Sequence, residues 1–389
     1  MCFFPPEKGR ILRKPKHQAS PLATRKHFSC KATFLAALLC LLLTFLLPLG
    51  LLLTGRIAPP EGNGDAEAAP LPSTLFPFAS RAQEPTLSGP PEPGTRDGAV
   101  SITVLLKGKN RTMSLGEYLW GVVAAEMPAS FDEEALRAQA VAARTYTLYR
   151  MADLSPNHPD AHICGDPGCC QAWMDYKERM DDWGADAAVY EEKVTKAVRS
   201  TDGMSLYYDG SPILAAFHAA SAGSTKSAAE VWGEDYPYLQ EVQSPEDDAL
   251  VPNYYSTLTL SAKKFAKVLK KAHPEADLNN SDCSIWFGKV KKDPAGLPVS
   301  IKIGGVKVPT VELRSLFELR SSSMAIEGKD GKVTFYVTGY GHGVGMSQYG
   351  ANALAKQGKT AEEILAWYYP GAELITAADP ADVTADSSQ

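Results

Sequence analysis

The chain has 389 residues, 44% of them hydrophobic and 22% charged, a balance that excludes a wholly disordered or collagen-like protein. A formal net charge of −6 argues against a nucleic-acid binder, which needs clustered Lys and Arg. Seven cysteines, an odd number, are too few for a disulfide scaffold of this length.

Charge is unevenly placed. Residues 1–31 carry eight Lys and Arg against one acid, Glu7. Residues 33–53 then run TFLAALLCLLLTFLLPLGLLL without a charge. About 20 apolar residues are what a helix needs to cross the hydrocarbon core, so 32–55 is expected to be a transmembrane anchor. A cleaved signal peptide would have a shorter apolar region, about 7–15 residues, and a small-residue cleavage site. Thr54-Gly55-Arg56 is a poor one. Basic residues stay cytoplasmic, which puts 1–31 inside and everything after Arg56 outside. Residues 56–98 hold nine prolines and form an expected semi-extended linker. A domain tethered in this way suits surface polymers, envelope proteins or another cell.

The working domain is expected over 99–375. The alternation at 100–106 predicts a short strand, with a turn at 108–110. LGEYLWGVVAAE, 115–126, predicts a helix that Pro128 ends. Ser130 and Glu133 have the spacing of a capping box and would open a second helix running to about Asp153. Its alanines, from Ala135 to Ala143, allow close packing. Hairpins are expected around Asp209-Gly210 and Asp330-Gly331. Residues 261–272 form an expected amphipathic, Lys-rich helix with Phe265, Val268 and Leu269 inward. Thr360 and Glu363 form another capping box, and Pro370-Gly371 stop that helix. Helices and antiparallel hairpins without regular alternation predict a single mixed α+β domain. The tail, 376–389, is expected to be disordered.

Four stretches could carry chemistry. Glu126 ends an apolar helix. Loss of solvation raises a carboxyl pKa, and a protonated carboxyl near neutral pH is what a general acid needs. The plainer reading is a surface Glu at a helix end. Arg144 and Tyr146 lie on the next helix and could reach the same site, or be a structural ion pair and a half-buried aromatic. Next, His158, Cys164, Cys169 and Cys170 are spaced so that one loop could wrap a tetrahedral ion, with His162 a competing ligand. Zinc takes thiolate and imidazole in this ratio, and four protein ligands would make the site structural. The alternative is a disulfide plus a free thiol. Finally, GYGHGVGMSQYG, 339–350, places His342, Ser347 and Gln348 among alternating glycines that permit close backbone approach. It lacks the G-x-G-x-x-G spacing and the Lys-Ser/Thr of a P-loop, which excludes a nucleotide site. The alternative is a tight turn with a structural His. His218 and Ser221 invite a hydrolase reading, but no G-x-S-x-G elbow is present.

Taken together, SLGEYLWGVVAAEMPASFDEEALRAQAVAARTYTLYR, HICGDPGCCQAW, EVWG..YPYLQEV and GYGHGVGMSQYGANALAKQGKTAEEILAWYYPG resemble the stage II sporulation protein D family, also called the SpoIID/LytB domain. The resemblance implies a membrane-anchored lytic transglycosylase that cleaves peptidoglycan during sporulation engulfment, with Glu126 as the acid. It implies cleavage of the bond from N-acetylmuramic acid to N-acetylglucosamine, closed by the C6 hydroxyl into a 1,6-anhydro end. An internal hydroxyl replaces the second carboxylate of ordinary glycosidases. Arg144, Tyr146, His218, Ser221, His342, Ser347 and Gln348 become candidates for the glycan cleft. Some clostridial relatives carry zinc on two His and two Cys in this loop, and here Cys169 stands where a His is expected. The serine region also departs, with Ala222 for a Gly and Lys226 for a Glu. By analogy the partners would be an amidase, stage II sporulation protein P, and a membrane protein, stage II sporulation protein M. A non-catalytic, amidase-stimulating wall-binding module of the LytB type is the alternative. A zinc amidase or peptidase is a third, and needs an open metal site.

Overall fold

The computed structural model of the protein describes residues 92–378. The expected basic head, the anchor at 32–55, the linker up to residue 91 and the tail from 379 lie outside the described residues. Among the described residues no helix is long and apolar enough to cross a membrane.

Helix α1, Thr95–Ala99, leads into strands β1, Ser101–Leu106, and β2, Lys109–Ser114. These pair antiparallel around Lys107-Gly108, whose φ values of 48° and 79° need a residue tolerant of the left-handed region. The turn therefore falls earlier than the expected 108–110. Helix α2, Leu115–Glu126, opens on Ser114, whose hydroxyl accepts from the Glu117 amide. It ends at Glu126 with Met127 as its extended C-cap, as Pro128 requires. Helix α3, Glu133–Ala152, is capped by Asp132 and not by Ser130. The Phe131 amide bonds back to the Pro128 carbonyl, which holds Ser130 in an exposed turn, and Asp132 is the residue left beside the first free amides. Ala135, Ala138, Ala140, Ala142 and Ala143 are fully buried, so small side chains do bring α3 close to its neighbours.

Strand β3, Ile163–Cys164, pairs parallel with β1. Helices α4, Tyr176–Trp183, and α5, Ala187–Ser200, follow. Strands β4, Met204–Tyr208, and β5, Ser211–Pro212, form the hairpin expected at Asp209-Gly210. Strand β6, Phe217–His218, and helix α6, Ala228–Trp232, complete this part.

From residue 255 a second core begins. It contains β7, Tyr255–Ser261, α7, Ala262–Ala272, β8, Phe287–Lys292, β9, Pro298–Ile303, and β10, Val306–Pro309. Helix α8, Thr310–Leu316, and the hairpin of β11, Met324–Lys329, and β12, Lys332–Thr338, close it. One sheet has the order β10-β9-β8 and the other β11-β12-β7, all antiparallel. Phe265, Trp286, Phe317 and Phe335 stack at the centre. The first core then resumes with β13, Met346–Ser347, α9, Gln348–Lys356, α10, Ala361–Tyr368, and β14, Glu373–Thr376. The Thr360–Glu363 capping box forms as expected. β13 pairs parallel with β6, and β14 pairs with β4, so order extends to Thr376. The mixed α+β class with antiparallel sheets is present, but its apolar residues gather in two main clusters.

Candidate active site and metal cluster

Glu126 is the last residue of α2 and is 8% exposed. Its Oε1 accepts the Ala172 amide at 2.6 Å. Its Oε2 has no partner among the described residues. Burial pushes its pKa up to about 8, only partly opposed by the Ala172 hydrogen bond. The carboxyl is therefore protonated at neutral pH, with one oxygen fixed and the other uncommitted.

The residues beside Ala172 are each pinned separately. Gln171 is fully buried, and its amide nitrogen donates to the Tyr118 hydroxyl at 3.3 Å and to Thr147 Oγ1 at 3.1 Å. The Met174 amide donates to the Gly121 carbonyl at 3.2 Å. Trp173 lies so close to Gly121 that a Cβ there would sit 2.2 Å from its indole nitrogen. Gly121 is needed for this close approach.

Just upstream, one ligand atom each from His158, Cys164, Cys169 and Cys170 lies within 4.8 Å of every other. The cluster could hold a metal ion. His158 Nδ1 donates to the Ala161 carbonyl at 2.9 Å, which fixes the tautomer and leaves Nε2, 3.2 Å from Cys170 Sγ, as the donor lone pair. Cys164 is held down to about 6, chiefly by a hydrogen bond from Cys170, while Cys170 is pushed far up by the same contact. The thiols thus share protons that a cation would displace. Sulfurs on a tetrahedral zinc stand about 3.8 Å apart, and Cys169 and Cys170 already lie 4.0 Å apart. His162 is not in the set: its Nδ1 accepts the Thr103 amide at 2.9 Å.

A cleft of about 1070 Å³ runs along this cluster, lined by the β1–β2 hairpin, His158, Cys164, Cys169, Trp173 and α4. Glu126 does not line it. Trp173, the next residue but one after Gln171, does, and Arg111 stacks over the Trp173 ring at 5.7 Å. The Ala172–Trp173 segment joins the acid to the cleft, since Ala172 holds the Glu126 carboxyl and Trp173 lines the cleft.

Of the other candidates, Tyr146 lies beside the cluster and the rest lie elsewhere. Arg144 is 1% exposed and makes a paired contact with Asp97, Nε to Oδ1 at 2.8 Å and Nη2 to Oδ2 at 2.6 Å. It is a structural ion pair, and Asp97 shows that residues before 99 belong to the fold. Tyr146 is buried, and burial, then the Cys170 charge, push its hydroxyl well up. His218, Ser221, His342, Ser347 and Gln348 are all buried. His218 Nε2 is 2.8 Å from Ser221 Oγ, but its Nδ1 faces the Val344 carbonyl, so no carboxylate orients it. Desolvation lowers His218 to about 4 and takes His342 well down, so both rings are neutral. Gln348 Nε2 donates to Gln139 Oε1 at 3.2 Å.

Ser221 and Ser347 converge on an acid the sequence did not single out. Glu246 Oε1 accepts the Ser221 amide at 2.6 Å and the Ser347 hydroxyl at 2.5 Å, and its Oε2 accepts Ser244 Oγ at 2.6 Å. The carboxylate is 3% exposed and ties β13 to the segment after β6. Lys226 is also buried and pairs with Glu230 and, at 3.6 Å, with Asp293. Gln171, Ala172 and Trp173 were visible only as part of the run CCQAW, and Glu246 carried no local signal.

The SpoIID family, described as stage II sporulation protein, matches residues 107–208. Stage II sporulation protein D of Bacillus amyloliquefaciens is 35% identical over 290 residues, covering 74% of this chain and 82% of that protein. Its counterpart in Bacillus subtilis is 37% identical over 265 residues, covering 68% of this chain and 75% of that protein. The amidase enhancer of Bacillus subtilis is 30% identical over 308 residues, covering 66% of this chain and 40% of that protein. The family match spans Glu126 and the His/Cys cluster, and with these relatives it shows that the chain belongs to the SpoIID family of stage II sporulation proteins.

Proposed function

We propose that the protein is a lytic transglycosylase of peptidoglycan, with Glu126 as general acid and then base. The observation that carries this is the buried carboxyl of Glu126, with its pKa pushed up to about 8, one oxygen held by Ala172 and the other unpartnered among the described residues. The proton of Glu126 passes to the glycosidic oxygen as the C1–O bond of the muramic sugar breaks. The C6 hydroxyl of that sugar bonds to C1, and its proton returns to Glu126. The enzyme is regenerated, no water is consumed, and one carboxyl suffices.

His158, Cys164, Cys169 and Cys170 would hold zinc in a closed shell. The ion would supply structural cross-linking and no reacting group. A four-ligand shell disfavours the amidase or peptidase reading, which needs an open position. The anchor at 32–55 would hold the domain outside the membrane at the septum. An amidase of the stage II sporulation protein P type would strip stem peptides, and stage II sporulation protein M would be the membrane partner. Co-purification from membranes tests both partners.

The second reading is an amidase-stimulating wall-binding module, favoured by the 30% identity to the amidase enhancer. Peptide-free glycan strands separate the two. The protein from residue 92, which retains Asp97, is compared with its Glu126→Ala form by mass spectrometry. Anhydro-muramic ends from the wild type alone support the transglycosylase. Hydrated ends mean a water-using glycosidase. Binding without cleavage by either form means a binding module.

A further inference from the structure

The three sulfurs of the metal cluster are not equally sheltered. All three cysteines are free thiols. Cys170 is buried, with its Sγ 3.2 Å from His158 Nε2. Cys164 and Cys169 both line the large cleft, whereas Cys170 does not. Cys169 is also half-buried where Cys164 and Cys170 are buried. Outside the cluster its sulfur meets Asn157 Nδ2 at 3.7 Å, and Asn157 is itself part of the cleft wall. Two sulfurs therefore face the cleft, and the more exposed of them is Cys169.

A purely structural shell needs no ligand open to solvent. Three thiolates on a divalent cation also leave the shell with a net negative charge, so the sulfurs stay nucleophilic. A thiolate that is accessible and has a second cysteine in reach is the kind that oxidises reversibly. Cys170 is a poor partner for Cys169, because a bridge between neighbours in the chain stores strain. Cys164 is the better one. Its sulfur lies within 4.8 Å of the other ligand atoms, and the loop between the two cysteines is folded back on itself. The Asp166 carbonyl accepts the Cys169 and Cys170 amides at 3.0 and 2.8 Å, which presents Cys169 to the end of β3.

From this we infer that Cys169 is an oxidation site for hydroperoxides, and that its oxidation bridges it to Cys164 and empties the cluster. The loss of metal rests on the cluster holding zinc, as proposed above; the bridge does not. Hydrogen peroxide converts the Cys169 thiolate to a sulfenic acid and leaves one hydroxide. The Cys164 thiolate attacks that sulfur and displaces a second hydroxide. Two thiolates and one peroxide thus become one disulfide and two hydroxides. His158 and Cys170 remain, too few to close a tetrahedral shell. Ion and disulfide, alternatives in the sequence, are then two states of one site.

Hydrogen peroxide added to the zinc-loaded full chain tests this, with zinc release followed by a chromogenic chelator and the cysteines mapped by mass spectrometry. Zinc should be released as a Cys164–Cys169 bridge forms, and dithiothreitol should reverse both. Buried Cys283, whose thiol donates to the Lys332 carbonyl, should stay reduced as the control. Dimedone should trap the sulfenic acid on Cys169. Cys169→His keeps a zinc ligand that peroxide does not convert, and should slow release by about tenfold or more. Dimedone on Cys164 or Cys170 instead overturns the inference, with no variant needed. So does a Cys169–Cys170 bridge, release from Cys169→His at the wild-type rate, or zinc and thiols that survive excess peroxide. A chain that binds no zinc but still forms the Cys164–Cys169 bridge would sink the metal reading and keep the oxidation site.

Discussion

The amide of Ala172 donates to Glu126 Oε1 at 2.6 Å, two residues beyond Cys170 of the metal cluster. The acid and the cluster are therefore ends of one short stretch of chain. Cys170 belongs to the cluster, Gln171 is locked between α2 and α3, and Ala172 meets the carboxyl. Whatever loosens the cluster loosens the partner of the acid.

Metal removal should accordingly be felt at Glu126. Chelation, or Cys170→Ser, is expected to lower the melting temperature by at least about 5 °C and reduce cleavage about tenfold or more. Cys169→His should keep the metal, because imidazole replaces thiolate as a zinc ligand. Elemental analysis of both variants, together with glycan turnover, checks this. Full turnover by a metal-free protein would separate the two ends.

The pH dependence follows from the raised carboxyl. The folded protein holds a proton on Glu126 up to about pH 8, while an ordinary Glu releases it near 4.5. The stabilising advantage is complete below about 4.5 and is lost as pH rises through about 8. Cleavage should fall on the alkaline side with an apparent pKa near 8, since the acid form is consumed there. Glu126→Gln should abolish turnover. It should also remove this part of the stability–pH curve, making the variant more stable than wild type at pH 9 by on the order of 5 kcal/mol. Denaturant titrations at several pH values provide the readout.

Asp97→Ala should cost about 3–5 kcal/mol, because it leaves the buried Arg144 guanidinium without its carboxylate. Replacing both with apolar residues of similar size should recover most of that loss. Urea unfolding of the single and double variants decides it. If Asp97→Ala is silent, α1 does not hold the domain as described.

Gly350→Ala should destabilise by about 1–3 kcal/mol. The new Cβ would meet the Tyr368 hydroxyl at 2.1 Å, Ser244 Oγ at 2.4 Å and Glu246 Oε2 at 2.6 Å. Tyr368→Phe in the same chain should return part of the loss by making room. Calorimetry of the two variants tests this, and a loss unchanged by the second substitution would mean that the clash is with Ser244 and Glu246.

Local chemistry was legible in the sequence. The helix at Leu115–Glu126, the hairpins at Asp209 and Asp330 and the Thr360 capping box each depend on adjacent residues. Glu126 stood out because apolar neighbours surround it in the chain itself. Arg144 looked like a cleft residue because its partner, Asp97, is 47 residues away in a stretch rich in proline. The two Ser candidates share a partner, Glu246, that lies 25 residues from Ser221 and 101 from Ser347. Only folding brings those groups together. The two-core division was also hidden, because both cores draw on similar short strands, although the net charge changes sign from acidic to basic across the boundary at Tyr254-Tyr255.

The parallel pair of β6 and β13 joins Phe217 to Met346. The apolar residues of the second core all fall between these two strands, whereas the first core needs Tyr368 and Tyr369 from beyond them. As the chain emerges from the ribosome, the inner core has its full complement of residues while the outer one still lacks α9, α10 and β14. Closing a loop of this length as loose chain carries an entropic cost. A folded insertion brings its own ends together and leaves little of that cost to meet. Assembly is then expected to run from the middle of the sequence outward, with the strand that carries Ser347 to Glu246 among the last to arrive.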